Sequence, residues 1–167
     1  MVCFWRCDSP VGTYTVAEDG MGICSLFFGE RLVPPDWEMR QTPLLKTAIL
    51  QLAEYFSGKR QTFDLPLSLH GTPFQLADWA ALQTIPYGET CCYQQIAEQM
   101  GNPKACRAVG LANNRNPVAV IVPCHRVVGK NGGLVGYAGG VWRKKSLLEL
   151  EQKYRLPNKK AAFLSKF

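Results

Sequence analysis

The sequence predicts an α+β fold in two parts. Residues 1–70 are expected to form a small antiparallel sheet with one helix, and residues 71–167 a mostly helical domain. Three observations support this: short β-branched and aromatic runs lie early, helix signals lie late, and the net charge changes from −2 before residue 71 to +8 after it. The 167 residues are 47% hydrophobic and 19% charged, which is the composition of a globular protein.

Three short runs near the N-terminus have the composition of strands, and turn signals at residues 9–12 and 18–20 separate them. The predicted strands are residues 2–7, 13–17 and 23–28. A helix follows, because Thr42 can cap it, Pro43 suits its first turn and Gly58 can end it.

The second part begins with a capping box. Thr72 caps a helix that reaches about residue 84, with Pro73 in its first turn. A second helix is expected over residues 93–100, and Asn102 and Pro103 are expected to begin a third that ends near residue 112. Two helices joined by a short glycine-containing turn are typical of a helix-turn-helix, although non-binding helical bundles share the pattern.

Residues 118–122 (VAVIV) predict a buried strand that leads into Cys124. The glycine-rich loop after it lacks both the dinucleotide fingerprint and the P-loop pattern, so it predicts backbone close to a ligand, or a mobile lid. The last helix is expected over residues 142–154, and the basic tail after Leu156 is expected to be frayed.

Between Glu98 and Glu149 the sequence has eight basic residues and no acidic one. They are Lys104, Arg107, Arg115, Arg126, Lys130, Arg143, Lys144 and Lys145. A solvated basic face is the ordinary explanation, but so one-sided a stretch also favours a phosphate-bearing partner, nucleic acid above all. No apolar run approaches the ~20 residues of a membrane span, and no secretion signal is evident, so no membrane partner is expected.

The chain has seven cysteines, an odd number that predicts a reduced, intracellular protein. Cys124 is distinctive because it adjoins His125 and Arg126 within the basic stretch, a setting that favours a reactive thiolate. His125 would need a carboxylate to fix its tautomer, and the acids downstream are Glu149 and Glu151. A buried, inert cysteine beside a packed histidine remains the alternative on chemistry alone.

Seven segments together carry a family resemblance. They are GTPFQ (71–75), IPYGET (85–90), GNPKA (101–105), RAVG (107–110), NP (116–117), PCHRV (123–127) and GYAGG (136–140). In this order they closely resemble the DNA alkyltransferases that repair O6-alkylguanine, also called methylated-DNA–protein-cysteine methyltransferases. The resemblance is strong over residues 71–152 and weak before them. It implies a ribonuclease H-like first domain and a winged helix-turn-helix-like second domain.

The resemblance implies irreversible transfer of an alkyl group from O6-alkylguanine, and from O4-alkylthymine, to the protein itself, without a cofactor. Cys124 is then the acceptor, His125 a base that acts through a water, and Glu151 the carboxylate that orients His125. Asn116 matches the residue that braces the active-site turn. Tyr93 matches the tyrosine that helps to rotate the nucleotide out of the duplex and donates to its base.

The same resemblance implies a double-stranded DNA partner, gripped in the minor groove, with Arg107 filling the gap left by the extruded base. The other expected DNA contacts are Tyr93, Lys104, Ala105, Cys106, Asn113 and Arg115. Cys106 departs from the small residue expected at its position. Tyr137, Ala138 and Val127 are expected to bind the guanine. We expect a monomer in the cytoplasm, or in the nucleus of a eukaryote.

No metal site is expected. Some relatives hold zinc on two cysteines and two histidines near the N-terminus, but here only His70 remains beside Cys3, Cys7 and Cys24 once His125 is assigned. Two other functions stay open. One is a non-catalytic protein that flags alkylguanine, although such proteins lack the acceptor cysteine. The other is a redox-sensing DNA-binding regulator that uses two cysteines, at positions 124 and 106.

Overall fold

The computed structural model describes residues 1–155, so the predicted frayed tail after Leu156 lies outside the described residues. The architecture is a small sheet with a helix followed by a mainly helical half, which confirms the predicted α+β class. Within residues 1–155, no helix combines the length and the apolar character that crossing a membrane requires.

The N-terminal half contains a four-stranded sheet in the order β3-β2-β1-β4. Its strands are β1 (Cys3–Cys7), β2 (Tyr14–Glu18), β3 (Ile23–Phe28) and β4 (Glu38–Met39). The first three were predicted, and each pairs with its neighbour in antiparallel register. The prediction missed β4, which pairs parallel to β1, so the sheet is mixed rather than wholly antiparallel. Two exposed residues are too short a run to show a strand pattern.

Helix α1 (Pro43–Phe56) covers one face of this sheet. As predicted, Thr42 caps it, and the hydroxyl oxygen accepts a hydrogen bond from the backbone N–H of Leu45 at 3.2 Å. Its buried stripe repeats at helical spacing and ends in Tyr55, whose side chain is fully buried. Tyr55 therefore lies where the sheet half meets the helical half.

The helical half contains α2 (Pro73–Leu82), α3 (Tyr93–Gln99) and α4 (Cys106–Asn114), together with two-residue strands β5 (Cys91–Cys92) and β6 (Val127–Val128) that pair in parallel. The capping box at Thr72 is confirmed. The predicted start of the third helix at Pro103 is wrong. There the backbone N–H of Ala105 donates to the carbonyl of Asn102 at 3.0 Å, which closes a separate turn before α4 begins.

The predicted strand over residues 118–122 is also wrong. The chain turns back on itself there: the backbone N–H of Val122 donates to the carbonyl of Val118 at 3.0 Å, and Val120 has a φ of +70°. Only Val118 forms an isolated bridge, to Leu26 of β3. The segment is buried, as expected, but an apolar β-branched run reports burial as much as extension.

Helix α5 (Val141–Tyr154) closes the described structure and confirms the last predicted helix. Its buried face carries Lys144, Leu147 and Glu151, which follow one another at helical spacing. This face packs against the turn that contains Cys124. Buried apolar residues from both halves form one contiguous core, so the sheet half contributes directly to the surroundings of that turn.

Candidate active site

Cys124 begins a single 3₁₀ turn, Cys124–Arg126, directly after Pro123. The residue is buried, with 8% of its surface exposed. The side-chain amide of Asn116 donates to the sulfur at 3.2 Å and to the carbonyl oxygen of Val122 at 2.8 Å. Asn116 thus fixes both the thiol and the backbone that leads to it. Burial raises the pKa of Cys124 to about 11, against the opposing effects of Asn116 and Lys144. The resting thiol is therefore protonated at neutral pH and needs a base.

His125 follows in the same turn and is fully buried. Its Nε2 lies 2.7 Å from Oε2 of Glu151. Burial lowers the pKa of His125, and the nearby carboxylate only partly opposes this, so the ring is neutral. Because a carboxylate can only accept, we assign the proton to Nε2. The other nitrogen, Nδ1, is buried and has no hydrogen-bond partner within the described residues, so its lone pair is available to a proton donor.

Glu151 accepts hydrogen bonds on both of its carboxylate oxygens. Besides His125, the donors are the Tyr55 hydroxyl at 2.6 Å, Arg126 Nη2 at 3.0 Å and Nε at 2.9 Å, and the backbone N–H of Gly88 at 3.1 Å. Burial alone would raise the pKa of this carboxyl, but His125 and Arg126 outweigh it and hold the pKa far below its usual range. Glu151 is therefore an anion at neutral pH, and it accepts the hydrogen bond from His125.

The loop between β6 and α5 is held close to this turn. The Tyr93 hydroxyl donates to the carbonyl of Val135 at 3.2 Å, and Lys144 Nζ donates to the same carbonyl at 2.8 Å. Arg143 Nη1 donates to the carbonyl of Gly139 at 2.8 Å. Three side chains from two helices thus fix the backbone on either side of Ala138, which is itself exposed.

The three predicted guanine-binding residues lie in different environments. Ala138 is exposed on the loop, whereas Val127 is fully buried and pairs with Cys91 in the short parallel sheet. Tyr137 is half-buried, and its hydroxyl has no partner among residues 1–155. Of the three, Ala138 alone is exposed in this structure, and the hydroxyl of Tyr137 is buried.

The predicted DNA-binding residues cluster on and beside α4, but they differ in exposure. Lys104, Arg107 and Arg115 are exposed, and Ala105 and Cys106 are half-buried. The Cys106 thiol donates to the side-chain carbonyl of Gln94 at 2.9 Å, which ties α4 to α3. Asn113 is 5% exposed, and with its amide nitrogen turned toward Asp78 it donates to both carboxylate oxygens, at 2.6 and 3.1 Å. It does not face solvent in this structure.

Two members of the basic stretch are not surface cations. Lys144 is fully buried and Arg126 is 6% exposed, so the interpretation of the whole stretch as a solvated or phosphate-facing surface is wrong for both. Their burial could not be recognised from the residue pattern, although Arg126 adjoins the Cys-His pair. Tyr55 was missed altogether, because nothing local marks a tyrosine that meets Glu151 from 96 residues away.

No group of three or more His, Cys, Asp and Glu side chains within residues 1–155 is arranged to hold a metal ion. Cys3 is instead close to Arg40, whose Nη2 lies 3.4 Å from the sulfur. Burial raises the pKa of Cys24 to about 11, which disfavours the thiolate that a metal would require.

Comparison with known proteins covers both halves of the chain. The family profile described as 6-O-methylguanine DNA methyltransferase, ribonuclease-like domain, matches residues 6–69, and the one described as the DNA binding domain of the same family matches residues 73–153. The methylated-DNA–protein-cysteine methyltransferase of Mycobacterium tuberculosis is 49% identical over 155 residues, covering 91% of this chain and 93% of the relative. The constitutive enzyme of Bacillus subtilis is 47% identical, over 84% and 89% of the two chains.

Solved structures agree with the sequence relatives. The crystal structure of Mycobacterium tuberculosis OGT in complex with DNA matches with a TM-score of 0.85 and 48% identity, over 91% of this chain and 94% of that one. The family resemblance of the sequence is thereby confirmed. The chain belongs to the family of methylated-DNA–protein-cysteine methyltransferases, and its activity is direct-reversal DNA repair by transfer of a methyl group from DNA to a protein cysteine.

Proposed function

We propose that Cys124 is the residue that accepts the alkyl group. The observation that carries this proposal is a set of contacts made at one buried turn: Glu151 accepts from Nε2 of His125, Nδ1 of His125 is unpaired within residues 1–155, and Asn116 donates to the sulfur of Cys124. The donor to the sulfur and the base thus lie in and beside the turn that begins at Cys124, and the anion contacts the base. The substrates are O6-alkylguanine and O4-alkylthymine in DNA.

In the proposed reaction, one water passes the thiol proton of Cys124 to Nδ1 of His125. The thiolate attacks the alkyl carbon in line with the C–O6 bond, so that the C–S bond forms as that bond breaks and its electron pair stays on the base. The guanine anion takes up a proton at N1 from water, and the imidazolium of His125 returns its proton to water, so that no net proton is gained or lost. A thioether has no ready reverse route, so each molecule repairs one lesion.

The alkylated base must leave the duplex to reach a buried sulfur. We place the DNA so that α4 enters the minor groove, with Arg107 in the gap left by the extruded base and Lys104 and Arg115 on phosphates. Exposure of all three cations and the small residues of α4 support this placement. Tyr93 can then exchange its bond to the Val135 carbonyl for one to the flipped base.

The protein is proposed to act as a monomer on double-stranded DNA, and to work where DNA is, in the cytoplasm or in the nucleus of a eukaryote. The division into residues 1–70 and 71–167 is likewise a proposal. It is supported by the two matched profiles, which end and begin on either side of residue 70.

Intact mass and peptide mapping test this assignment. After incubation with duplex DNA that contains O6-methylguanine, the protein should gain one methyl group on the peptide with Cys124, and product should plateau at one per protein. Cys124→Ser should still bind the DNA without any transfer. Methylation of another cysteine, or turnover beyond one equivalent, would contradict the proposal. DNA binding without methyl uptake would favour a lesion-flagging protein, and reversible oxidation that alters DNA affinity would favour a redox regulator.

A further inference from the structure

The helical half is not the only source of hydrogen bonds to Glu151, because the sheet half supplies one of them. The hydroxyl of Tyr55, in the last turn of α1, donates to Oε2 of Glu151 at 2.6 Å. That oxygen is also the one that faces Nε2 of His125. The donor thus comes from an element that precedes all seven segments of the family resemblance.

The surroundings of Tyr55 leave it little freedom. Its side chain is fully buried, and its ring lies 5.3 Å from that of Phe56, 5.5 Å from that of Phe63 and 6.1 Å from that of Tyr87, measured between centroids. Burial, together with the adjacent carboxylate, raises the pKa of the phenol well above its usual value, so the hydroxyl remains a donor throughout the working pH range. A buried anion cannot replace this donor with bulk water.

We propose that Tyr55 is a positioning residue for alkyl transfer, which holds Oε2 of Glu151 in place and draws charge from it, and so sets the orientation and the basicity of His125. This proposal rests on the roles of His125 and Glu151 in the proposed function. It makes the sheet half part of the reaction machinery rather than only a support for the fold.

The negative charge of Oε2 of Glu151 is shared among three hydrogen-bond donors. Oε2 accepts from Tyr55, His125 and Arg126 Nη2. Without the phenol, more negative charge faces His125, which stabilises the imidazolium, and the carboxylate is free to rotate. Fewer molecules then carry a neutral base at a given pH, and the remaining ones are less well oriented. Besides Tyr55, the charged or titratable groups that face His125 and Glu151 are Arg126, Lys144 and Tyr87.

Tyr87 offers a matched control. Its ring packs against that of Tyr55, and its hydroxyl is also buried, but that hydroxyl has no hydrogen-bond partner within residues 1–155. Tyr87→Phe therefore also removes a phenol oxygen from this region, but it removes no hydrogen bond to Glu151. Both substitutions keep an aromatic ring and leave the contacts of Arg126 and Lys144 in place.

The experiment compares single-turnover methyl transfer by the wild type, Tyr55→Phe and Tyr87→Phe across pH, with duplex O6-methylguanine DNA and with the free O6-methylguanine base. Tyr55→Phe should lower the rate constant roughly three- to tenfold on both substrates, the loss expected for the net contribution of one typical hydrogen bond. The acid limb of its pH–rate profile, where protonated His125 can no longer act as a base, should move to higher pH. DNA affinity, measured with Cys124→Ser added to each variant, should not change.

Tyr87→Phe should reproduce the wild-type rate and profile. The proposal would be overturned if the pH–rate profile of Tyr55→Phe were identical to that of Tyr87→Phe. It would also be overturned if Tyr55→Phe lost rate and unfolded at a lower temperature while its acid limb stayed in place, because that combination indicates a merely structural role. A different result would contradict the proposal that Cys124 is the acceptor, namely that the wild type takes up no methyl group on Cys124.

Discussion

Arg126 and Glu151 form a bidentate ion pair that is almost completely shielded from solvent, with Nε 2.9 Å from Oε1 and Nη2 3.0 Å from Oε2. Burial is the main reason that the pKa of His125 is lowered, and the positive charge of Arg126 in this pair adds to that effect. Since Arg126 already balances the carboxylate, a protonated His125 would place an uncompensated charge in the core. His125 is therefore neutral in this structure, and Glu151 accepts its hydrogen bond as an anion and does not hold a proton.

Glu151→Gln should impair both chemistry and stability. An amide can turn its N–H toward His125 and reverse the tautomer, so transfer to duplex DNA and to the free base should each fall at least about tenfold. It also leaves Arg126 buried without an anion, a loss of about 3–5 kcal/mol in unfolding free energy. Single-turnover rates and denaturant unfolding measure the two effects. Glu149→Gln, on the exposed face of the same helix, is the control and should change neither.

Asn116→Ala should slow transfer by making the thiol harder to ionise. The Asn116 amide is the hydrogen-bond donor to the Cys124 sulfur and lowers a thiol pKa that burial has raised to about 11. Without it the pKa rises further, and the turn loses its anchor to the Val122 carbonyl. We expect roughly a tenfold lower rate with the free base as substrate, since a charge-assisted hydrogen bond is lost.

The measurement is a single-turnover rate at several pH values, with Asn102→Ala, an exposed amide on the α3–α4 turn, as the comparison. An Asn116→Ala rate equal to that of Asn102→Ala would show that the hydrogen bond to the sulfur has no part in activating it.

Asp78 should make stability depend on pH. It is fully buried on α2, and burial raises its pKa to about 7. Because the folded pKa lies above the unfolded value of about 3.9, the folded state binds the proton more tightly. The associated stability is present below about pH 4 and is lost as pH rises through about 7. Asp78→Asn should therefore narrow the difference in unfolding free energy between pH 5 and pH 8, mainly by gaining stability at pH 8.

Urea unfolding at the two pH values tests this, with the exposed Asp36→Asn as the control. If Asp78→Asn is instead less stable than the wild type at pH 8, the two hydrogen bonds from Asn113 outweigh the cost of burying the carboxylate.

The features that could be predicted from the sequence are those whose signal lies within a few neighbouring residues. Cys124 and His125 are adjacent, and capping residues such as Thr72 act within one turn, so the candidate site and the helix start could both be recognised from the sequence. A buried segment without regular structure could not be recognised: residues 118–122 have the composition of a strand but fold as a turn. Nor does a sequence show which cations are desolvated, and for this reason Lys144 was counted with the surface charges.

Arg107→Ala should separate base extrusion from chemistry. Arg107 is exposed on α4, on an element distinct from the turn that holds Cys124. Extrusion costs a few kcal/mol of lost stacking, which an inserted side chain partly offsets. The variant should therefore repair duplex DNA at least about tenfold more slowly under saturating conditions, while its slower reaction with the free base stays within about twofold of the wild type.

Arg115→Ala is the matched comparison, because it removes an equally exposed cation assigned to a phosphate. It should weaken duplex binding and lower the slope of log K against log salt by about 0.9, the value for one phosphate contact, with no change in the rate at saturation. Equal losses on free base and duplex for Arg107→Ala would place Arg107 in the chemistry or in the fold. A saturating rate unchanged on duplex DNA would make it a second phosphate contact, and another side chain would then have to fill the gap in the stack.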